Sequence, residues 1–238
     1  MKTREYLVRY LSVYCYAASL CLLLGAMISN TATAVSSRQE LLQNPLIVID
    51  AGHGGIDGGA TSCTGVLEST FNLEIAQRLE ALLHFLGRST VMTRTSPESV
   101  ATEGDTIRQQ KRSDLRNRVA LINRCPRGTL VSIHQNLFSD AKYYGPQVFY
   151  ASTPGSEELA RILQSRLNAA LAPESKRVSK PSKGVYLMER VNCRAVLVEC
   201  GFLSNPREEA LLRNKAYQQK LCLALCTGLL QPGEALQS

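Results

Sequence analysis

The stretch Leu46-Ile47-Val48-Ile49-Asp50-Ala51-Gly52-His53-Gly54-Gly55 joins an unbroken apolar run to a polar turn rich in glycine. Four consecutive apolar residues without polar alternation predict a strand covered on both faces, the kind found in parallel sheets packed between helices. Working outward, Thr90-Val91-Met92, Leu130-Val131-Ser132-Ile133, Gln147-Val148-Phe149-Tyr150, Val185-Tyr186-Leu187 and Ala195-Val196-Leu197-Val198 are further short runs of this kind, which makes six predicted strands. Between them, apolar residues recur at helical spacing: Ile75, Leu79, Leu82, Leu83 and Leu86; Leu115, Val119 and Ile122; Leu159, Ile162, Leu163 and Leu167; Tyr217, Leu221, Leu225 and Leu229. Thr153-Pro154 reads as the cap and first-turn proline of the third helix, and Pro232 as the stop of the last. The alternation predicts an α/β fold over residues 45–232. It is a three-layer sandwich, its central, mostly parallel six-stranded sheet carrying helices on both faces.

Upstream of that domain, a run without charge extends from Tyr10 to Ser37, with Lys2, Arg4 and Arg9 before it and Ala32-Thr33-Ala34 near its end. Basic, apolar and small-residue regions in that order mark an export segment. The apolar part also approaches the roughly 18 to 20 residues that span a bilayer. Residues 1–34 are therefore expected to be a signal peptide or an N-terminal membrane anchor, 35–44 a linker and 233–238 a C-terminal tail. The rest of the chain is expected outside the cytoplasmic membrane, touching it only through residues 1–34.

A chain of 238 residues with 45% hydrophobic and 20% charged residues suits one compact domain and excludes a mostly disordered or collagen-like chain. Removing Lys2, Arg4, Arg9 and Glu5 takes two off the formal charge of +7 and leaves +5. That excess favours polyanionic wall polymers or membrane surfaces. The basic residues are dispersed apart from Arg108 to Arg118, so no nucleic-acid partner is expected. Arg108 to Arg118 itself reads as a solvated helix face with an i,i+4 pair between Asp114 and Arg118. Cys63, Cys125, Cys193, Cys200, Cys222 and Cys226 form no C-x-x-C pair, which argues against a thioredoxin motif or structural zinc cluster and for core packing.

In open α/β sheets, ligands bind beyond the carboxyl ends of the strands. Leu46 to Ile49 leads into Asp50-Ala51-Gly52-His53, Leu130 to Ile133 into His134-Gln135-Asn136, and Ala195 to Val198 into Glu199-Cys200-Gly201. Two of the three histidines thus stand at strand ends. The third, His84, lies beside an apolar helical stripe and reads as structural. Two imidazoles and a carboxylate are a ligand set of catalytic zinc, with water in the fourth position. Both Glu68 and Glu199 are candidates: Glu199 ends a buried strand, where an unpaired charge is costly, and Glu68 follows the glycine-rich loop. Separations of 15, 66 and 65 residues along His53, Glu68, His134 and Glu199 do not by themselves specify a metal site. Cys200 alternates to the face opposite Glu199, so it reads as core rather than nucleophile. Asp57 stands where a dinucleotide fingerprint needs glycine, and no G-x-S-x-G accompanies His53-Gly54-Gly55, so the nucleotide and serine-esterase readings fail.

Three ordered blocks resemble the signatures of the zinc-dependent N-acetylmuramoyl-L-alanine amidases of the amidase-3 family. They are Ile47 to Ala60 (IVIDAGHGGIDGGA), Ser132-Ile133-His134-Gln135-Asn136, and Leu197 to Asn205 (LVECGFLSN); with Gly65-Val66-Leu67-Glu68 the resemblance spans about residues 45 to 230. It implies that His53, Glu68 and His134 hold Zn²⁺, one ion per chain, and that Glu199 is the catalytic carboxylate. The bond cut would be the amide between the lactyl group of N-acetylmuramic acid and L-alanine of the peptidoglycan stem peptide. Asp50, Asp57, Asn136 and Arg118 are expected to support the ligands or touch substrate.

Within the family, Ile107 to Lys111 with Asp114, Leu115 and Arg118, and Val185 to Met188, are most similar to the germination-specific, CwlD-type amidases of endospore formers. That likeness implies peptide removal in spore-cortex peptidoglycan, the first step toward muramic-δ-lactam, and a lipoprotein partner in the spore envelope. The segment from His134 to Val185 is used up by a strand and a helix, which argues against the inserted autoinhibitory helix of some Gram-negative relatives. Gln135 stands where many relatives have a smaller residue and Asn192-Cys193-Arg194 where a proline is usual; neither touches a ligand position, and Gln135 bears on substrate fit. A zinc peptidase cutting within the stem peptide, and a wall-binding module without catalysis, are the alternatives.

Overall fold

A computed structural model describes residues 46–231. The expected export segment 1–34, linker 35–44 and tail 233–238 lie outside the described residues, as does Pro232. The elements are β1 (Ile47–Ala51), α1 (Glu68–Phe85), β2 (Thr90–Met92), α2 (Ile107–Asn123), β3 (Thr129–Asn136), β4 (Gln147–Tyr150), α3 (Ser156–Leu171), β5 (Lys180–Pro181), α4 (Tyr186–Arg190), β6 (Arg194–Phe202), α5 (Pro206–Arg213) and α6 (Lys215–Leu229). They form a six-stranded sheet in the order β2-β1-β3-β6-β4-β5. Every neighbouring pair is parallel except β4 with β6, which is antiparallel.

Alternation along the strands divides the interior. Ile47, Ile49, Val131, Ile133, Val196, Val198 and Cys200 face one core, shared with Ile75 and Leu79 of α1, Leu159 and Leu163 of α3, and Leu221 and Leu225 of α6. Val48, Leu130, Ala195 and Leu197 face the other, shared with Ile122 of α2 and Leu187 and Met188 of α4. This is the predicted three-layer α/β architecture. Each fully buried aliphatic side chain contributes about 2 kcal/mol.

Three local readings are corrected. Val185-Tyr186-Leu187 is not a strand but the start of α4, where Leu187, Met188 and Val191 bury one helical face beneath the sheet. The sixth strand is instead Lys180–Pro181, an exposed pair with no apolar signal that runs parallel to β4. Thr153-Pro154 precedes α3 rather than capping it: Gly155, at φ 75°, is the N-cap, and the Thr153 hydroxyl donates to the Cys193 carbonyl. The short helix α5, with Asn205 as cap and Pro206 in its first turn, has too brief an apolar pattern to be predicted.

Candidate metal centre

On the carboxyl edge of the central strands, Asp50, Ser132, His134 and Glu199 all alternate toward the α2 side of the sheet. Asp50 pairs in register with Ser132, and His134 with Glu199. His134 therefore stands beside Glu199 on adjacent parallel strands. Glu68 enters from the other direction, as the first residue of α1. His53 sits on the loop after β1 with φ at 60°, the one non-glycine residue with positive φ among the described residues. A bulky side chain adopts that conformation only where its surroundings hold it there.

The holding contacts are explicit. Arg118 Nη2 donates to the His53 carbonyl at 2.7 Å and its Nη1 to the Ala51 carbonyl at 2.8 Å. From the opposite side Arg94 donates through Nε to the Ala51 carbonyl at 2.9 Å and through Nη2 to the Gly52 carbonyl at 3.1 Å. Two buried guanidiniums thus clamp one three-residue backbone segment. Between them, the Gly54 amide and the Asp57 carbonyl, and the Asp57 amide and the Gly54 carbonyl, close the turn at 2.8 and 3.1 Å.

One nitrogen or oxygen from each of His53, Glu68 and His134 lies within 4.8 Å of the others. His53 Nε2 is 3.3 Å from Glu68 Oε2, and His134 Nδ1 is 3.0 Å from Glu68 Oε1. Two imidazoles and one carboxylate converging in this way match the donor chemistry of Zn²⁺, so the residues fit the metal implied by the sequence. The candidate donors are themselves oriented. Asp57 Oδ2 lies 3.0 Å from His53 Nδ1, and Lys111 Nζ lies 2.8 Å from Asp57 Oδ1. The amides of Ala60 and Gln135 donate to Glu68 at 3.0 and 3.1 Å, and Asn72 Nδ2 donates to Glu68 Oε1 at 3.3 Å. A supporting shell of this sort fixes ligand rotamers and basicity.

Charge follows the geometry. Burial opposes the charged form of His53, but hydrogen bonding to Asp57 and Glu68 outweighs it and raises the imidazole to about 9. Burial would raise Glu68, yet the two histidines beside it hold its carboxyl far below the usual range. Glu199 behaves oppositely. Burial pushes its carboxyl up to about 7, with His134 opposing and Glu68 reinforcing the rise. Its Oε2 is buried and has no hydrogen-bond partner among the described residues. A carboxylate with a near-neutral pKa and an unengaged oxygen beside a metal-type donor set is poised to accept and return a proton.

The remaining sequence candidates sort themselves by contact. Asp57 orients His53 directly. Asp50 does not touch an imidazole: it accepts from Arg118 Nη1 at 2.6 Å, Ser132 Oγ at 2.6 Å and Thr93 Oγ1 at 2.7 Å. Arg118 is 2% exposed, which overturns the reading of Arg108 to Arg118 as a solvated face at that position. The predicted pair with Asp114 does form, Nε to Oδ2 at 2.7 Å, but as a buried one. Asn136 ends β3, its carbonyl accepting from the Leu203 amide at 2.8 Å. His84 lies away from the site against Thr90, and Cys200 is fully buried in the core, as predicted. Asn72, Arg94 and Lys111 were not singled out from the sequence. Of these, Asn72 carried a signal, standing four residues after Glu68 on the same helical face.

Fold and site together define an α/β enzyme scaffold with a candidate metal centre at the carboxyl edge of its sheet. The chain belongs to the Amidase_3 family, N-acetylmuramoyl-L-alanine amidase, which matches residues 47–231. Among relatives it is 38% identical over 192 residues to the germination-specific N-acetylmuramoyl-L-alanine amidase of Bacillus subtilis (strain 168), a match covering 80% of each chain. Among solved structures it is similar to the CwlD amidase from Clostridioides difficile in complex with the GerS lipoprotein, at 37% identity and a TM-score of 0.75, covering 78% of this chain and 96% of that one. The N-acetylmuramoyl-L-alanine amidase from Clostridium difficile 630 matches with 30% identity and a TM-score of 0.68, covering 79% of this chain and 95% of that one.

Proposed function

We propose that this chain hydrolyses the amide between the lactyl group of N-acetylmuramic acid and L-alanine of the stem peptide, with His53, Glu68 and His134 holding Zn²⁺ and Glu199 as the acid–base residue. The observation that carries the reading is the meeting of a His/Glu/His donor set with the Glu199 carboxylate, whose Oε2 is buried and unengaged among the described residues. Zn²⁺ bound by such a set supplies Lewis acidity toward water and the scissile carbonyl. Glu199 takes the proton of the attacking water at Oε2 and delivers it to the leaving L-alanine nitrogen. Asp57, fixed by Lys111, holds the His53 ring in place, and the amides of Ala60 and Gln135 fix the Glu68 carboxylate.

The substrate proposed is spore-cortex peptidoglycan, and the product the precursor of muramic-δ-lactam; the likeness to a germination-specific amidase supports this. A lipoprotein partner is part of the same reading, supported by the similar CwlD amidase having been seen with one. Residues 1–34 serve export, 35–44 link and 45–232 catalyse. The test is digestion of cortex muropeptides by the full-length chain with and without zinc, followed by mass spectrometry. Release of intact stem peptides beginning with L-alanine is expected. Fragments cut within the stem would establish a peptidase instead, and wall binding without turnover at any zinc level would establish a binding module.

A further inference from the structure

On the same edge of the sheet as Glu199, the chain before β4 and the chain before β5 enclose a groove of about 440 Å³. Lys142, Lys176, Arg177 and Lys180 line it, with Glu174 as the opposing acid and Tyr143 and Tyr144 as aromatic walls. Its position is fixed relative to the candidate catalytic residue, because Gln147, which also lines it, is the antiparallel register partner of Glu199. Arg177 is held in place: Nε donates to the Tyr144 carbonyl at 3.1 Å, Nη1 to Gln147 Oε1 at 3.2 Å, and the guanidinium lies 5.1 Å over the Phe202 ring. Tyr143 stacks on that same ring at 6.1 Å. The Phe202 ring at the end of β6 therefore backs two of the groove's lining side chains, Tyr143 and Arg177.

The charges facing the groove do not cancel. Asp140 pairs with Lys142 at 2.8 Å, and the Glu208 carboxylate is engaged by the amide of Gly145 at 2.8 Å. Arg177 also lies within electrostatic reach of the Glu208 carboxylate, so Lys176 and Lys180 remain against Glu174 and the groove keeps one net positive charge. Adjacent strands lie roughly 4.8 Å apart, so a groove reaching from β4 to β5 extends about 5 to 10 Å sideways from Glu199. An extended peptide advances about 3.5 Å per residue, which sets the second and third stem residues about 7 to 10 Å from the scissile carbonyl. In peptidoglycan those residues carry free carboxylates unless amidated.

We propose that this groove is the subsite for an acidic stem peptide, with Lys176, Arg177 and Lys180 receiving the carboxylates of its second and third residues. The proposal rests on the amidase reading. Its test compares the full-length zinc-loaded chain with Lys176→Glu/Lys180→Glu, two exposed positions, on muropeptides with free and with amidated stem carboxylates. The double substitution is expected to raise KM for the free-carboxylate substrate about ten-fold, with kcat unchanged, and to leave KM for the amidated substrate unaltered. Unchanged KM on the acidic substrate, or equal losses on both, overturns the proposal. Calorimetric binding of the free acidic stem peptide to Glu199→Gln, with and without the two lysine substitutions, separates the readings. Absence of hydrolysis in the parent chain counts against the amidase reading, whereas peptide binding that ignores the lysine substitutions counts against the groove.

Discussion

A β-carbon added to Gly52 would lie 2.3 Å from both Cε1 and Nε2 of His134, and one on Gly59, at φ 70°, would lie 2.6 Å from Glu68 Oε2 and 2.8 Å from His53 Cδ2. Gly52 and Gly59 therefore make room for the side chains of the candidate metal donors rather than for a phosphate. Gly52→Ala is expected to weaken zinc binding at least about ten-fold, measured by competition with a chromophoric chelator, with far-ultraviolet circular dichroism unchanged. Asp57→Ala should lower zinc affinity by about 10- to 100-fold in the same assay, since it frees the His53 ring. Glu199→Gln should reduce turnover by about 100-fold or more while zinc stoichiometry stays at that of the parent; retained turnover would remove Glu199 from the mechanism. His53, His134 and Glu199 were legible in the sequence because scarce histidines and a costly carboxylate each came at or just after the end of a short apolar run. Lys111 and Arg94 were not, because they act through another side chain or through backbone carbonyls, and no spacing records a contact of that kind.

Helix α2 carries a different lesson. Asp114, Arg118 and Ile122 recur at i,i+4 and form its buried face, so two charges stand where the pattern suggests solvent. The reason is the Asp50 carboxylate near the end of β1, which burial alone would raise but which Arg118, Ser132, His134 and Thr93 hold down to about 2. Depression of the folded-state pKa means that this contribution is complete above the unfolded carboxylate value near 4 and fades as pH falls toward 2. The urea midpoint should drop across that window, and Asp50→Asn should lack that part of the drop. Arg118→Met leaves Asp50 buried without its ion and is expected to cost about 3 to 5 kcal/mol in urea unfolding, with the His53 loop released as well. The predicted helices with full apolar stripes all formed. Failure came at Val185 to Leu187, where three apolar residues fit a strand or a helical turn equally, and at β5, whose exposed lysine and proline pair only through backbone.

At the scale of the whole molecule, two cores pack against opposite faces of the sheet, and the candidate metal centre sits at its edge, outside both. Chelation should therefore abolish hydrolysis without unfolding the chain, and added zinc should restore it. Zinc at one hundred times its dissociation constant should stabilise the fold by about 2.7 kcal/mol, read as a rise in melting temperature. Loss of the far-ultraviolet signal on chelation would contradict this arrangement.

The strand order has one further consequence. Sheet neighbours β3 and β6 bring His134 and Glu199 side by side, while His53 and Glu68 arrive from near the start of the described chain. No contiguous portion shorter than about residues 53 to 199 contains all four groups, and β6 enters the sheet only after every other strand has been made. A chain extended only as far as β5 therefore lacks the Glu199 carboxylate that stands beside His134 in the finished sheet. On the amidase reading proposed above, cutting power is acquired in one step, when the strand that is last in the chain takes its place in the middle of the sheet.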